Sequence, residues 1–320
     1  MTAGLVAVLH GCAGSAVPVP RAPHRATART SAARPRPPFA VGLRTVTFVD
    51  TSRTVRFPGK PPEPRTLVTV IRYPAIGRGT DVRDAPPARA AGRCGLIVFG
   101  HGFAVTPAPY ARLLRAWARA GYVVAAPIFP LGNANAPGGP NESDIVNQPR
   151  DMSFVITRML ELDATARSPF QGLIAPHEIA VAGQSDGGET ALAVAYDRHY
   201  LDRRVHAAVI LSGAEIPGVG GFTFPAPSPP LLAAQGTADT TNQPRFTYAF
   251  FDAAPRPKFL LSLIGAPHLP PYTTEEPQLS IVVRVSIDFL NRYLGNGTRA
   301  LQRMLTAGNV PGVSTITAER

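Results

Sequence analysis

The chain has 320 residues, 45% of them hydrophobic, which allows one large core, and its strand and helix signals run on without an interdomain linker. Its net charge of +11 invites an anionic partner, yet the Arg residues are scattered among Ala and Pro, no Lys/Arg run is interleaved with aromatics, and no nucleic-acid motif appears, so nucleic-acid binding is not expected. Two cysteines, Cys12 and Cys94, exclude a disulfide-rich scaffold and a cysteine-built zinc cluster, and a bridge between them would need an oxidising compartment.

Residues 1–14 read MTAGLVAVLHGCAG. An apolar run at 3–9 meets Gly11-Cys12, and Leu9-His10-Gly11-Cys12 resembles a bacterial lipoprotein box, which makes Cys12 a candidate for lipidation and membrane attachment. His10 is unusual there, the apolar run is short and no basic region precedes it. A true start upstream of Met1 is one expectation, and a frayed terminus is the other. In residues 15–39, Arg21, Arg25, Arg29, Arg34 and Arg36 lie among prolines. Such a segment buries too little to offset its ordering entropy and reads as a flexible basic tether. Residues 1–40 are thus expected to be an export or lipoprotein-like segment with its tether. That implies a secreted or cell-envelope protein, or a cytoplasmic one if the signal is not real.

From Val41 the pattern changes. Segments 44–50 (RTVTFVD) and 67–73 (LVTVIRY) alternate and are β-branched, which predicts strands. Segment 95–99 (GLIVF) is a continuous apolar run, as in a strand buried on both faces. Segments 122–126, 179–183, 205–211, 231–235 and 259–264 read the same way. Between them, helical spacing appears at 110–120 (Leu113, Leu114, Trp117), 150–162 (Phe154, Val155, Met159, Leu162), 189–196 and 279–294 (Val282, Val283, Ile287, Leu290). Strands alternating with helices predict an α/β fold: about eight mostly parallel strands with helices on both faces, over residues 41–295. Residues 296–320 are expected to be a C-terminal tail. No apolar run has the length of a transmembrane helix.

The strand at 179–182 runs into Gly183-Gln184-Ser185-Asp186-Gly187-Gly188, followed by an Ala-rich helical stretch. This is G-x-S-x-G between a strand and a helix, and it resembles the nucleophile elbow of α/β-hydrolases. The serine must sit in a strained turn, so its neighbours must lack bulk, and the helix N-terminus aims N–H groups at developing negative charge. Ser185 is the candidate nucleophile.

A nucleophilic serine needs a base, and the base needs an orienting carboxylate. In this fold both follow the serine, the acid first. The histidines after Ser185 are His199, His206 and His268. His199 lies in a polar stretch and is expected at the surface, and His206 opens a strand and is expected to be packed. His268, in the Gly/Pro loop after the last strand, is the candidate base. Asp239, just past the strand 231–235, is the candidate acid, whereas its rival Asp252 falls within a helical pattern. The strand 95–99 ends in Gly100-His101-Gly102-Phe103, and the loop there donates one N–H to the oxyanion in this fold. Phe103 and Asp186 are the candidate oxyanion donors through their backbone N–H groups. The Asp186 side chain is expected to point away, and His101 to brace the loop.

These residues resemble a group within the α/β-hydrolases that contains platelet-activating factor acetylhydrolases, dienelactone-hydrolase-like esterases, chlorophyllases and cutinase-like polyester hydrolases. The resemblance spans about 46–294. It rests on Asp50-Thr51-Ser52-Arg53, Arg72-Tyr73-Pro74, Gly100-His101-Gly102-Phe103, Gln148-Pro149-Arg150-Asp151, the elbow, Gly236-Thr237-Ala238-Asp239 and Pro267-His268-Leu269. It implies a triad of Ser185, Asp239 and His268 and an oxyanion hole of Phe103 and Asp186. The chain departs from the polyester hydrolases, which usually carry His and Met around the serine where Gln184 and Asp186 stand here. It also has Leu211-Ser212-Gly213-Ala214 where they place an aromatic wall, and no cysteine after Cys94.

The expected activity is therefore hydrolysis of a small or lipid-like carboxylic ester through an acyl-enzyme, by a monomer that needs no metal or organic cofactor. The alternatives are an acyltransferase using the same triad and a non-catalytic envelope-binding lipoprotein. The loop at 131–149 either shapes the pocket or is a free surface loop.

Overall fold

Ten strands form one sheet, in the order β10-β9-β8-β7-β6-β4-β5-β2-β1-β3. They are β1 (Ala40–Val55), β2 (Glu63–Ala75), β3 (Val82–Arg83), β4 (Cys94–Gly100), β5 (Val123–Pro127), β6 (Ile174–Gln184), β7 (Ala207–Leu211), β8 (Leu231–Gly236), β9 (Lys258–Leu263) and β10 (Ser314–Glu319). The helices are α1 (Ala111–Ala120), α2 (Gln148–Ala164), α3 (Asp186–Tyr196), α4 (Pro244–Ala253), α5 (Pro270–Thr273), α6 (Gln278–Tyr293) and α7 (Ala300–Gly308). The computed structural model describes Met1, Thr2 and residues 37–320, apart from Pro217, 220–222 and Asn296. The lipidation candidate Cys12 and the Arg-rich tether lie outside the described residues. Among the described residues no helix is long and apolar enough to cross a membrane.

From β5 to β9 the neighbouring strands run parallel, while β1/β2, β2/β5 and β9/β10 are antiparallel. This is the α/β-hydrolase architecture. The parallel strands are apolar throughout because helices cover both faces. Along β4, Leu96 and Val98 face the core built with Met152, Val155, Ile156 and Leu192 of α2 and α3. Ile97 and Phe99 face the opposite core, with Leu113, Leu114 and Trp117 of α1 and Val282, Val285 and Phe289 of α6. The chain leaves β4 toward β5 on one side and returns as β6 on the other. The crevice at the carboxyl ends of β4 and β6 is therefore the switch point where such sheets bind ligands.

Two expectations are corrected here. Residues 296–320 are not a tail: α7 packs on the sheet, and β10 closes its edge, pairing from Ser314↔Leu263 to Glu319↔Lys258. His206 is exposed just before β7 rather than packed within it. Cys94 is a buried free thiol, pushed up to about 11 by burial and by Glu178.

The motif Asp50-Thr51-Ser52-Arg53 is a β-bulge, where the β1/β2 register shifts between Asp50 and Thr54. Asp50 accepts hydrogen bonds from the Ser52 N–H (3.0 Å) and hydroxyl (2.6 Å) and from Arg53 Nε (2.7 Å). Arg53 Nη2 lies 2.8 Å from Asp151 on α2. Arg65 of β2, 1% exposed, donates to both oxygens of Asp144 (2.9 and 2.7 Å) and of Asp151 (2.7 and 2.6 Å). Bidentate pairs of this kind fix geometry as well as charge. They tie the antiparallel hairpin to α2 and to the 3₁₀ turn Glu142–Asn147 before it.

Candidate active site

Ser185 sits between β6 and α3 with φ 55° and ψ −126°, a left-handed conformation that a non-glycine residue adopts only under constraint. The constraint is close packing of backbone. A Cβ on Gly183 would lie 2.0 Å from the Gly187 carbonyl oxygen, and one on Gly187 would lie 2.1 Å from the Gly100 carbonyl oxygen. No side chain fits at either position, so the two glycines are what let β6, α3 and the end of β4 meet. Ser185 N–H donates to the Leu211 carbonyl on β7 at 3.0 Å, which pins the turn from the other side.

Asp239 and His268 come together from the loops after β8 and β9. His268 Nδ1 lies 2.7 Å from Asp239 Oδ2. The other carboxylate oxygen, Oδ1, accepts from the N–H groups of Thr241 (3.0 Å) and Asn242 (2.8 Å), and Gln235 Nε2 donates to Oδ2 at 3.2 Å. Burial pushes the Asp239 carboxyl up, but the hydrogen bonds from His268 and Asn242 outweigh it and hold it below the ordinary carboxylate range. Asp252, the rival acid, lies in α4, and His199 is exposed.

Gln184 has a role that sequence reasoning missed. Its Oε1 accepts from Tyr110 OH at 2.6 Å, and its Nε2 donates to the His268 carbonyl at 3.2 Å. Nε2 also lies 3.2 Å from His268 Nε2. The carbonyl can only accept, so the amide nitrogen must face it, and the ring nitrogen beside it must accept too. That places the imidazole proton on Nδ1, toward Asp239, and a lone pair on Nε2. Among the described residues no hydrogen bond joins Ser185 Oγ to the ring. The signal for Gln184 was its place inside the G-x-S-x-G motif, but nothing in the sequence revealed its partners.

The loop after β4 packs on the elbow, since a Cβ on Gly102 would lie 3.2 Å from Ser185 Cβ and 2.9 Å from Gln184 Oε1. Phe103 follows directly, and its N–H has no hydrogen-bond partner among the described residues. The Asp186 N–H opens α3, where first-turn N–H groups have no intrahelical partner. His101 is buried, with Nδ1 2.8 Å from the Gly102 carbonyl and Nε2 accepting from the Phe129 N–H at 3.1 Å. Burial pushes its ring down to about 4, so it is neutral and braces the loop.

A cavity of about 280 Å³ opens beside Ser185. Asp186 lines it with Glu142, Glu189, Glu215 and Phe246. Burial and the nearby Glu142 push the Asp186 carboxyl up to about 6, and burial pushes Glu189 up to about 9. Glu189 accepts a short hydrogen bond from the Ile216 N–H. Glu142 comes from the 131–149 stretch, which therefore shapes the cavity. An aromatic residue does reach the wall, but from α4 rather than from the segment after β7. These wall residues are distant in sequence and carried no motif.

Residues 85–219 match the family model described as chlorophyllase. The match covers the β4 loop and the elbow with Ser185, and stops before Asp239 and His268. No curated protein matches the chain. Together with the sheet order, the match puts the chain in the α/β-hydrolase superfamily, among ester hydrolases of that type.

Proposed function

We propose that this α/β-hydrolase is a serine carboxylic-ester hydrolase that works through an acyl-enzyme. Ser185 is the nucleophile, His268 the base, Asp239 the orienting acid, and the N–H groups of Phe103 and Asp186 the oxyanion donors. The observation that carries the reading is the Asp239–His268 hydrogen bond of 2.7 Å, in loops at the carboxyl end of the sheet where the strained Ser185 stands.

In this reading His268 takes the Ser185 hydroxyl proton on Nε2 as Oγ attacks the ester carbonyl. Asp239 holds the ring in the required tautomer and stabilises the imidazolium without taking the proton. In the resting protein the Nε2 lone pair faces the Gln184 amide. The transfer therefore requires the ring to shift from Gln184 toward Oγ, and such bonds commonly tighten only with substrate bound. The tetrahedral oxyanion collapses with loss of the alcohol, which takes the proton from His268. Water then repeats the sequence on the acyl-serine and releases the acid. Each oxyanion donor is worth about 3 kcal/mol of barrier.

The test is a Ser185→Ala variant assayed on nitrophenyl acetate and butyrate, with a fluorophosphonate label mapped by peptide mass. Turnover should fall by about 10³-fold or more, and the label should sit on Ser185. An unlabelled Ser185 in folded protein, or a variant with near-normal turnover, would overturn the reading.

A further inference from the structure

We infer that the cavity beside Ser185 is a cation-accepting subsite, and that the esters this protein takes carry a small alkylammonium group. The inference rests on the proposed ester hydrolysis for the reaction and on the cavity wall for the charge.

Four carboxyl side chains, Glu142, Asp186, Glu189 and Glu215, line this one cavity. The chain holds only 21 Asp and Glu against 32 Lys and Arg, yet no Lys or Arg is among the described lining residues. Glu189 keeps its proton up to about pH 9, so the negative charge at this wall comes from the other three carboxyls, and it opposes the net charge of the molecule. Asp186 is 6% exposed, and its Oδ2 has no hydrogen-bond partner among the described residues. A buried carboxylate oxygen without a partner is costly, and a cation held at this wall would offset that cost. Glu142 and Asp186 each push Glu189 up, and Glu142 pushes Asp186 up, as like charges gathered at one cavity do.

The wall also limits what the cation can be. Among the described residues no three His, Cys, Asp or Glu side chains are placed to hold a metal ion together. A diffuse organic cation suits carboxyls spread around a cavity better than a compact ion. Phe246 adds an apolar aromatic side to that wall, against which the methyl groups of a substituted ammonium can pack. A volume of about 280 Å³ suits a small substituted ammonium group rather than a long chain. The same wall repels an anionic ester and favours departure of the carboxylate product.

The experiment compares acetylcholine with 3,3-dimethylbutyl acetate, an uncharged ester of nearly the same shape, on the full-length chain at low ionic strength. Wild type should favour the cationic ester in kcat/KM by about tenfold or more, and in a Glu142→Gln/Glu215→Gln variant that ratio should fall toward one. Calorimetric titration with tetramethylammonium adds a readout free of catalysis, with tert-butanol as the uncharged reference. Its binding should weaken about fivefold or more in the double variant. A wild-type ratio near one, or a ratio or tetramethylammonium affinity that the double variant leaves unchanged, overturns the inference. If neither ester is hydrolysed but tetramethylammonium binds and the variant weakens it, the esterase reading fails and the cation subsite stands.

Discussion

Glu142 and Asp144 lie two residues apart on one 3₁₀ turn and end in opposite electrostatic surroundings. Asp144 joins Asp50 and Asp151, and each of these carboxylates touches the guanidinium of Arg53 or Arg65. Glu142 joins Asp186, Glu189 and Glu215 around the cavity, where no described Lys or Arg side chain answers them. Taking a charge out of water costs several kcal/mol unless partners restore the lost contacts. The first cluster restores them, and its product is structural: a hairpin fastened to α2. The second has no guanidinium beside the nucleophile candidate: Glu189 is held by the Ile216 N–H and keeps its proton, while Asp186 Oδ2 has no partner among the described residues. An uncompensated cluster persists in a folded protein where the surrounding structure over-determines it, and such places concentrate at functional sites.

Removing the cation from the paired cluster should be the most damaging change. Arg65→Met leaves Asp144 without its guanidinium and Asp151 with only Arg53. We expect a loss of about 3–5 kcal/mol in urea-unfolding stability, and a loss under 1 kcal/mol would mean that the pairing holds little together. In the open cluster, neutralisation should instead help, and the sign follows from protonation. The folded protein holds the Glu189 proton up to about pH 9, while the unfolded chain releases it in the ordinary carboxylate range. Stability present below that range is therefore lost as pH rises toward 9. Glu189→Gln should remove this fall. The variant should gain on wild type by up to about 1.4 kcal/mol per pH unit between pH 5 and 9, read from unfolding midpoints at pH 5, 7 and 9. Parallel curves would break the comparison. Glu142→Gln, at an exposed position, should change stability by less than about 0.5 kcal/mol in the same assay, so its effect should appear in substrate choice and not in folding.

The fold was largely legible. Apolar runs of strand length marked the buried strands of the sheet, because a strand covered on both faces has no polar side to interrupt it. The glycines flanking Ser185 were legible for a related reason: backbone approaches as close as those of Gly183 and Gly187 exclude every other residue. The C-terminal segment was not legible. In β10 the residues Ser314, Thr315, Thr317 and Glu319 give no apolar run, and only Ile316 and Ala318 pack against the core from this edge. Its place depends on β9 offering a free edge, which is a tertiary fact.

The sequence by itself determined the α/β order of elements, the elbow at Ser185, and Asp239 and His268 as the pair to bring together, because each rests on local chemistry at a strand end. Tertiary structure alone decided the rest. It joined Gln184 to Tyr110 and His268, turned the Asp50 and Gln148–Asp151 motifs into one ion-pair network, and gathered Glu142, Asp186, Glu189 and Glu215 around one cavity. Those contacts join residues tens of positions apart. Periodicity and motif report what a residue does to its own segment, and cannot report the charge that the fold will place across from it.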